Sequence, residues 1–228
     1  MTDSGTVRRY GRAGRWFHAG VYLTVLVMLA TGWWFVVDGY EHESPLARLL
    51  GAPDSAVHET AGYVWVLVFA VWLPFGLRGV PAFVRETARY RRGDGRWLVT
   101  FPRAAFTGRF GDHDGHFDPG QRIANVLIVI GLAVLALTGL GMLLLPEGVL
   151  PEQVDLLVIH RWTTFLLTPV LLGHIVVAAG ILPGYRGVWR SMHLGGRLPE
   201  DVARRIWPRW LDRQREHAGR DGGGGTMP

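Results

Sequence analysis

The sequence predicts an all-α integral membrane protein, a four-helix bundle with both termini and one long loop on the cytoplasmic side. Three observations predict it. Four apolar runs are each long enough to cross a bilayer. Only 19% of the 228 residues are charged, against about 25% in an ordinary soluble domain. Of the 24 arginines, in a chain without lysine, 22 fall in segments that share one side of such a bundle.

The first run, Trp16 to Val37, is 22 residues with no acid and no arginine, and predicts a helix over 16–37. The second, 57–77, carries one acid, Glu59, near its start. The third, 123–145, carries no charge. The fourth, 156–182, carries one charge, Arg161. About 20 apolar residues in a helix cross the ~30 Å hydrocarbon layer. Helices satisfy their own backbone hydrogen bonds, which lipid cannot do. A chain of 228 residues is too short to sheath four such helices in polar ones. Residues 1–15 are polar, and no small-residue cleavage site follows the first run. That run is therefore expected to span rather than to be removed as a signal peptide.

Charge sets the expected orientation. Residues 1–15 hold four arginines and one acid, and residues 78–122 and 183–228 each hold nine and five. The loop 38–55 holds one arginine and four acids, and 146–155 holds three acids and no arginine. The positive-inside rule places the arginine-rich segments in the cytoplasm. The expected layout is an N-terminal segment 1–15, a transmembrane domain 16–182 with an inner loop 78–122, and a tail 183–228. The mixture of arginine and aromatic residues in the inner loop suits a membrane surface. The closing "REHAGRDGGGGTMP" is expected to be disordered. The pI near 10.2 reads as a topology signal, and no nucleic-acid partner is expected because the basic residues are split among three membrane-flanking segments. With no cysteine, the chain has no disulfide, no thiolate-held zinc or iron–sulfur cluster and no thiol nucleophile.

Nine histidines remain to be placed. His42, His113, His116, His193 and His217 lie outside the apolar runs and read as solvated side chains. His18, His58, His160 and His174 lie in the runs or at their ends, where ionisable residues are costly and mark function. Taken singly, each has an ordinary reading as an interhelical hydrogen bond. Taken together, they match in depth. On alternating helix directions, His58 and His160 fall near the outer surface and His18 and His174 near the inner one. His160 and His174 are 14 residues apart, close to four helical turns and about 21 Å, so they share one face. Two histidines facing across a bundle clamp a porphyrin by both axial positions of its iron. The attachment is of b type, since no Cys-x-x-Cys-His motif exists. Two such haems form an electron wire across the membrane. A rival of another class is a haem-free membrane anchor or small transporter with the histidines as proton relays.

The chain also echoes itself. "LATGWW" in the first run matches "ALTGLG" in the third, and each is followed by a helix with a histidine near its outer end. Counted from this echo, Asn125 stands where His18 would repeat and Trp72 where His174 would.

Several stretches carry a resemblance: "RWFHAGVYLTVLVMLATG", "HETAG", "HFDPGQRIANVLIVIGLAVLALTGLGML", "IHRWTTFLLTPVLLGHIVVA" and "SMHLGGRLPEDVARRIWPRW". Over roughly residues 8–212 the sequence resembles the cytochrome b (gamma) subunit of respiratory formate dehydrogenase and related di-haem membrane anchors. The resemblance implies two b haems, on His58 with His160 and on His18 with His174. It implies a quinone, menaquinone or ubiquinone, beside the inner haem, at His174 and the segment before the third helix. That segment here supplies Asp118, Gly120 and Gln121, with Asp118 where the family usually has Asn. Asp118 also reads simply as the cap of that helix, with Pro119 in its first turn. The resemblance implies an inner (plasma) membrane location and, as partners, an iron–sulfur subunit and a catalytic dehydrogenase subunit, where substrate oxidation takes place. A nickel–iron hydrogenase or a thiosulfate or polysulfide reductase is the alternative partner.

Overall fold

The computed structural model describes residues 5–38, 41–76, 79–146, 149 and 155–222. In chain order it has strand β1 (Thr6–Arg8) and helices α1 (Arg12–Asp38), α2 (Pro45–Leu50), α3 (Asp54–Gly76), α4 (Val80–Thr87), α5 (Asp94–Thr107), α6 (Pro119–Leu144) and α7 (Leu156–Ala178). A 3-10 turn (Pro183–Tyr185), α8 (Arg190–His193), strand β2 (Arg197–Pro199), α9 (Glu200–Ile206) and α10 (Pro208–Gly222) complete it. Three of these helices, α1, α6 and α7, are long and apolar enough to cross a membrane. The fourth expected crossing falls on α3, a helix of 23 residues.

Local chemistry fixes where the helices begin. The Asp155 carboxylate accepts from the Val158 N–H at 3.0 Å and opens α7. The Ser44 hydroxyl accepts from the Ala47 N–H and opens α2, which closes on Gly51 in the left-handed conformation. Such caps satisfy N–H groups that the first turn leaves without partners.

The chain forms two compact units. One comprises the described residues of Met1–Arg12, Val80–Leu127 and Val170–Pro228, the arginine-rich segments of the sequence. Its core packs Tyr185, Val188, Leu198, Val202, Ile206, Trp207 and Leu211 together. β1 and β2 pair antiparallel across it, with Val7 opposite Leu198. The guanidinium of Arg9 lies 3.6 Å from the centre of the Trp207 ring, a cation–π contact strengthened by burial. Arg122 and Asp94 form a buried ion pair. The inner loop, expected as a membrane-surface segment, thus supplies α4, α5 and a buried Trp97 to a folded unit. α10 runs to Gly222, so part of the tail expected to be disordered is helical; residues 223–228 lie outside the described residues.

The other unit comprises Ala13–Gly79 and the described residues of Ile128–Pro169, and holds most of the apolar helices. Among its described residues, the buried side chains on the long helices are few: Val25, Thr31, Asp54, Val57, Ala61, Thr138 and Leu167. Protein interiors are normally close-packed. The other described side chains on these helices are partly or fully exposed.

Candidate functional site

Within the second unit α3 carries His58 and α7 carries His160, and the structure brings the two imidazoles together. Their ring centres lie 6.3 Å apart, with the planes at 68°. A metal–imidazole nitrogen bond is about 2 Å, so two imidazoles on opposite sides of one metal ion have centres about 6 Å apart. The observed spacing meets that requirement. Among the described residues no three metal-ligating side chains gather into one group. A pair of imidazoles fits a porphyrin, which supplies the remaining four ligands itself, better than a metal held by protein side chains alone.

Each histidine leans on a threonine of the preceding long helix. Nδ1 of His58 is 2.9 Å from the Thr31 hydroxyl, and Nδ1 of His160 is 2.8 Å from the Thr138 hydroxyl. Thr31 donates its one hydroxyl proton within its own helix, to the Val27 carbonyl at 2.9 Å. Thr138 does the same with the Val134 carbonyl at 2.8 Å. With the hydroxyl proton used in this way, each hydroxyl accepts from the imidazole, and the Met28 carbonyl for His58 or the Leu135 carbonyl for His160 offers a second acceptor, so Nδ1 is the nitrogen that carries the hydrogen. Nε2 keeps its lone pair, which is the form that ligates a metal. The next residue in both places is glycine. A Cβ on Gly32 would stand 3.5 Å from the His58 ring, and one on Gly139 would stand 3.6 Å from the His160 ring. Both distances are ordinary van der Waals contact, so each ring packs at the surface of the helix beside its glycine.

The two threonines escaped the sequence reading as functional residues. Their signal was present, because the echo "LATG" and "ALTG" contains both Thr-Gly pairs.

The remaining expected site residues are placed as follows. His18 lies on α1, in the second unit, with its ring 5.4 Å from that of Tyr22. His174 lies on α7 in the first unit. Asp118, Gly120 and Gln121 stand at the start of α6, also in the first unit. The Asp118 carboxylate accepts from the Gln121 N–H at 2.8 Å, and the Gln121 side-chain oxygen accepts from the Asp118 N–H at 3.3 Å. This is a reciprocal capping box. A Cβ on Gly120 would stand 3.2 Å from the Trp97 ring, so the glycine admits the indole against the helix. Asp118 is fully buried, and burial raises its pKa to about 6. Burial first, and then the neighbouring Asp118 charge, push the Tyr185 phenol far above its usual range.

Two histidines expected to be solvated are not. The ring of His113 is buried, with Nε2 2.8 Å from the Ile206 carbonyl. His116 packs its ring against Tyr10, Phe117 and Trp210. Burial, with a smaller contribution from the Arg9 charge, depresses its pKa to about 3. The physical reason is the folding of the inner loop against the tail, a long-range event that local composition does not report.

None of the curated proteins matches the chain. A family model does: that of prokaryotic cytochrome b561, over residues 9–195. This match takes in the four helices and all four histidines singled out by depth. It joins a membrane-length helical architecture to an imidazole pair at axial-ligand spacing, and so the chain belongs to the prokaryotic cytochrome b561 family, membrane cytochromes b that take part in electron transfer and hold b-type haem.

Proposed function

We propose that the chain is the membrane-anchoring di-haem cytochrome b subunit of a respiratory dehydrogenase of the formate dehydrogenase type. It sits in the inner membrane with both termini in the cytoplasm. It accepts electrons from an iron–sulfur subunit at the outer face and delivers them to a quinone near the cytoplasmic side. The observation that carries the reading is the His58–His160 pair, 6.3 Å between centres, each ring held by a threonine.

When bound, haem supplies one-electron exchange between ferric and ferrous iron. The residues of this chain do the rest. His58 and His160 hold the outer haem, and His18 and His174 the inner one. Held by a pair of imidazoles, each haem would carry electrons and would not bind oxygen or substrate. Asp118, Gly120, Gln121 and His174 border the quinone, and the raised pKa of Asp118 lets that carboxyl hold a proton near neutral pH and release it. The arginine-rich segments face the cytoplasm, and substrate oxidation belongs to a partner subunit.

Haem extraction with protein quantitation tests the reading. Two low-spin haems per chain are expected. A ratio near one, or high-spin iron in the EPR spectrum, overturns the di-haem assignment. Co-purification of the intact complex identifies the dehydrogenase, and an isolated chain without an iron–sulfur partner refutes the anchoring role.

A further inference from the structure

We propose that Thr31 and Thr138 are paired positioning residues that set the redox potential of a single haem from its two axial sides. The inference rests on the assignment of His58 and His160 as ligands of one iron, and it goes beyond that assignment to the residues behind the ligands.

The two threonines are made alike. Each lies mid-helix in an apolar run where buried polar groups are otherwise scarce. Thr31 is 0% exposed and Thr138 5%. Each hydroxyl is used on both sides. It donates to the carbonyl four residues back, and a second carbonyl three residues back lies at 3.2 Å in both cases. It accepts from Nδ1 at 2.9 and 2.8 Å. β-Branched threonine suits this because its Oγ1 reaches the preceding turn while the side chain stays in a helical rotamer. Each is followed by a glycine that lies beside the ring.

A histidine ligand is oriented by whatever its second nitrogen donates to, and accepting that hydrogen makes the ring more electron-rich. A more electron-rich ligand favours ferric iron and lowers the potential. A neutral hydroxyl accepts more weakly than a carboxylate, so it tunes the ligand without adding charge to the membrane interior. The duplication matters because the same device acts on both imidazoles. Its effects therefore add on one metal centre rather than being divided between two.

The test uses the full chain in its own membrane. Redox titration of the reduced α-band gives the potential of each haem component, haem extraction gives the content per chain, and EPR reports the low-spin signals. Thr31→Val keeps shape and removes the hydroxyl acceptor, leaving the imidazole only the Met28 carbonyl, and Thr138→Val likewise leaves only that of Leu135. Each is expected to move the same haem component to a more positive potential with the other component unmoved, and the double variant is expected to move it further. Thr31→Ser and Thr138→Ser keep the hydroxyl and are expected to titrate like the parent. If valine strips the haem while serine retains it, the hydroxyl is again shown to hold the ligand. Unchanged potentials in both valine variants, with haem retained, overturn the inference and leave the ligand pairing standing. Shifts in two different haem components overturn the pairing itself. Haem loss in the serine variants too assigns these positions to packing and also overturns the inference.

Discussion

Asp118 and Gln121 hold each other's backbone: the carboxylate accepts from one N–H at 2.8 Å and the amide oxygen from the other at 3.3 Å. The second carboxylate oxygen of Asp118 is buried beside the Tyr185 phenol without a hydrogen bond of normal geometry. Asp118 therefore both caps α6 and faces the buried Tyr185 phenol.

The pH dependence of stability follows from that burial. The folded carboxyl keeps its proton up to about pH 6, whereas the usual value is 3.8. A raised folded pKa contributes stability that is complete below pH 3.8 and is lost as the pH rises through 6. Asp118→Asn keeps a cap oxygen and cannot titrate. Its stability relative to the parent is expected to rise by about 1.4 kcal/mol per pH unit across that window. Thermal unfolding in detergent from pH 4 to 7 measures it, and a flat difference refutes the burial argument. The same variant examines the quinone proposal. The pH profile of quinone reduction is expected to shift while both haems stay reducible, and an unchanged profile leaves Asp118 as a cap alone.

His58→Ala and His160→Ala are expected to look alike. On the proposed pairing, each is expected to remove the outer haem and interrupt electron entry while sparing the inner one. Reduced-minus-oxidised spectra and haem content check this. If His58→Ala instead matched His18→Ala in spectrum and potential, the pairing would be wrong.

The buried Arg122–Asp94 pair makes two contacts of 3.1 Å. Arg122→Leu leaves the carboxylate buried without its partner, a loss of about 3–5 kcal/mol. Adding Asp94→Asn is expected to restore part of it, because the stranded charge is gone. Chemical denaturation of the single and double variants gives the coupling energy, and strict additivity would count against the pair.

Gly184 has no room for a side chain. A Cβ there would lie 2.7 Å from the Ala105 carbonyl and 2.8 Å from that of Ala104. Both obstacles are backbone, which cannot swing aside as a side chain can. Gly184→Ala is expected to cost at least about 1–3 kcal/mol, the range for overpacking, and to speed proteolysis of the segments around α5. Gly95→Ala, which meets nothing within 4 Å, is the control for folding.

Hydropathy located the long helices closely but not their ends. The expected 16–37 is observed as Arg12–Asp38, and 123–145 as Pro119–Leu144. A helix begins and ends where a cap or turn sets it, as the Asp118 and Asp155 caps do at the starts of α6 and α7, and hydropathy carries no such term. The fourth run, expected to 182, ends at Ala178, two residues before Gly180 turns the chain with φ +71°. Periodicity and depth alone proposed the His58–His160 pair, since both residues sit in apolar runs of the length a bilayer crossing needs. The Arg9 stacking on Trp207 was illegible, because it joins residues from distant segments and no local pattern marks either partner. The threonines lay between these cases, visible as a repeated Thr-Gly but without meaning until the rings were placed on them.

The pairing of β1 with β2 has a consequence for biosynthesis. Thr6 and Arg197 bond to each other across 191 residues of sequence. At roughly 5–20 residues per second, the ribosome supplies the second strand about 10 to 40 s after the first. Throughout that interval the N-terminal segment has no strand to pair with and Arg9 has no tryptophan to stack on. The unit built from the arginine-rich segments therefore closes last, after the apolar helices between its two strands have been synthesised. Chain termination before β2 leaves this unit unable to form even if every long apolar helix is in place.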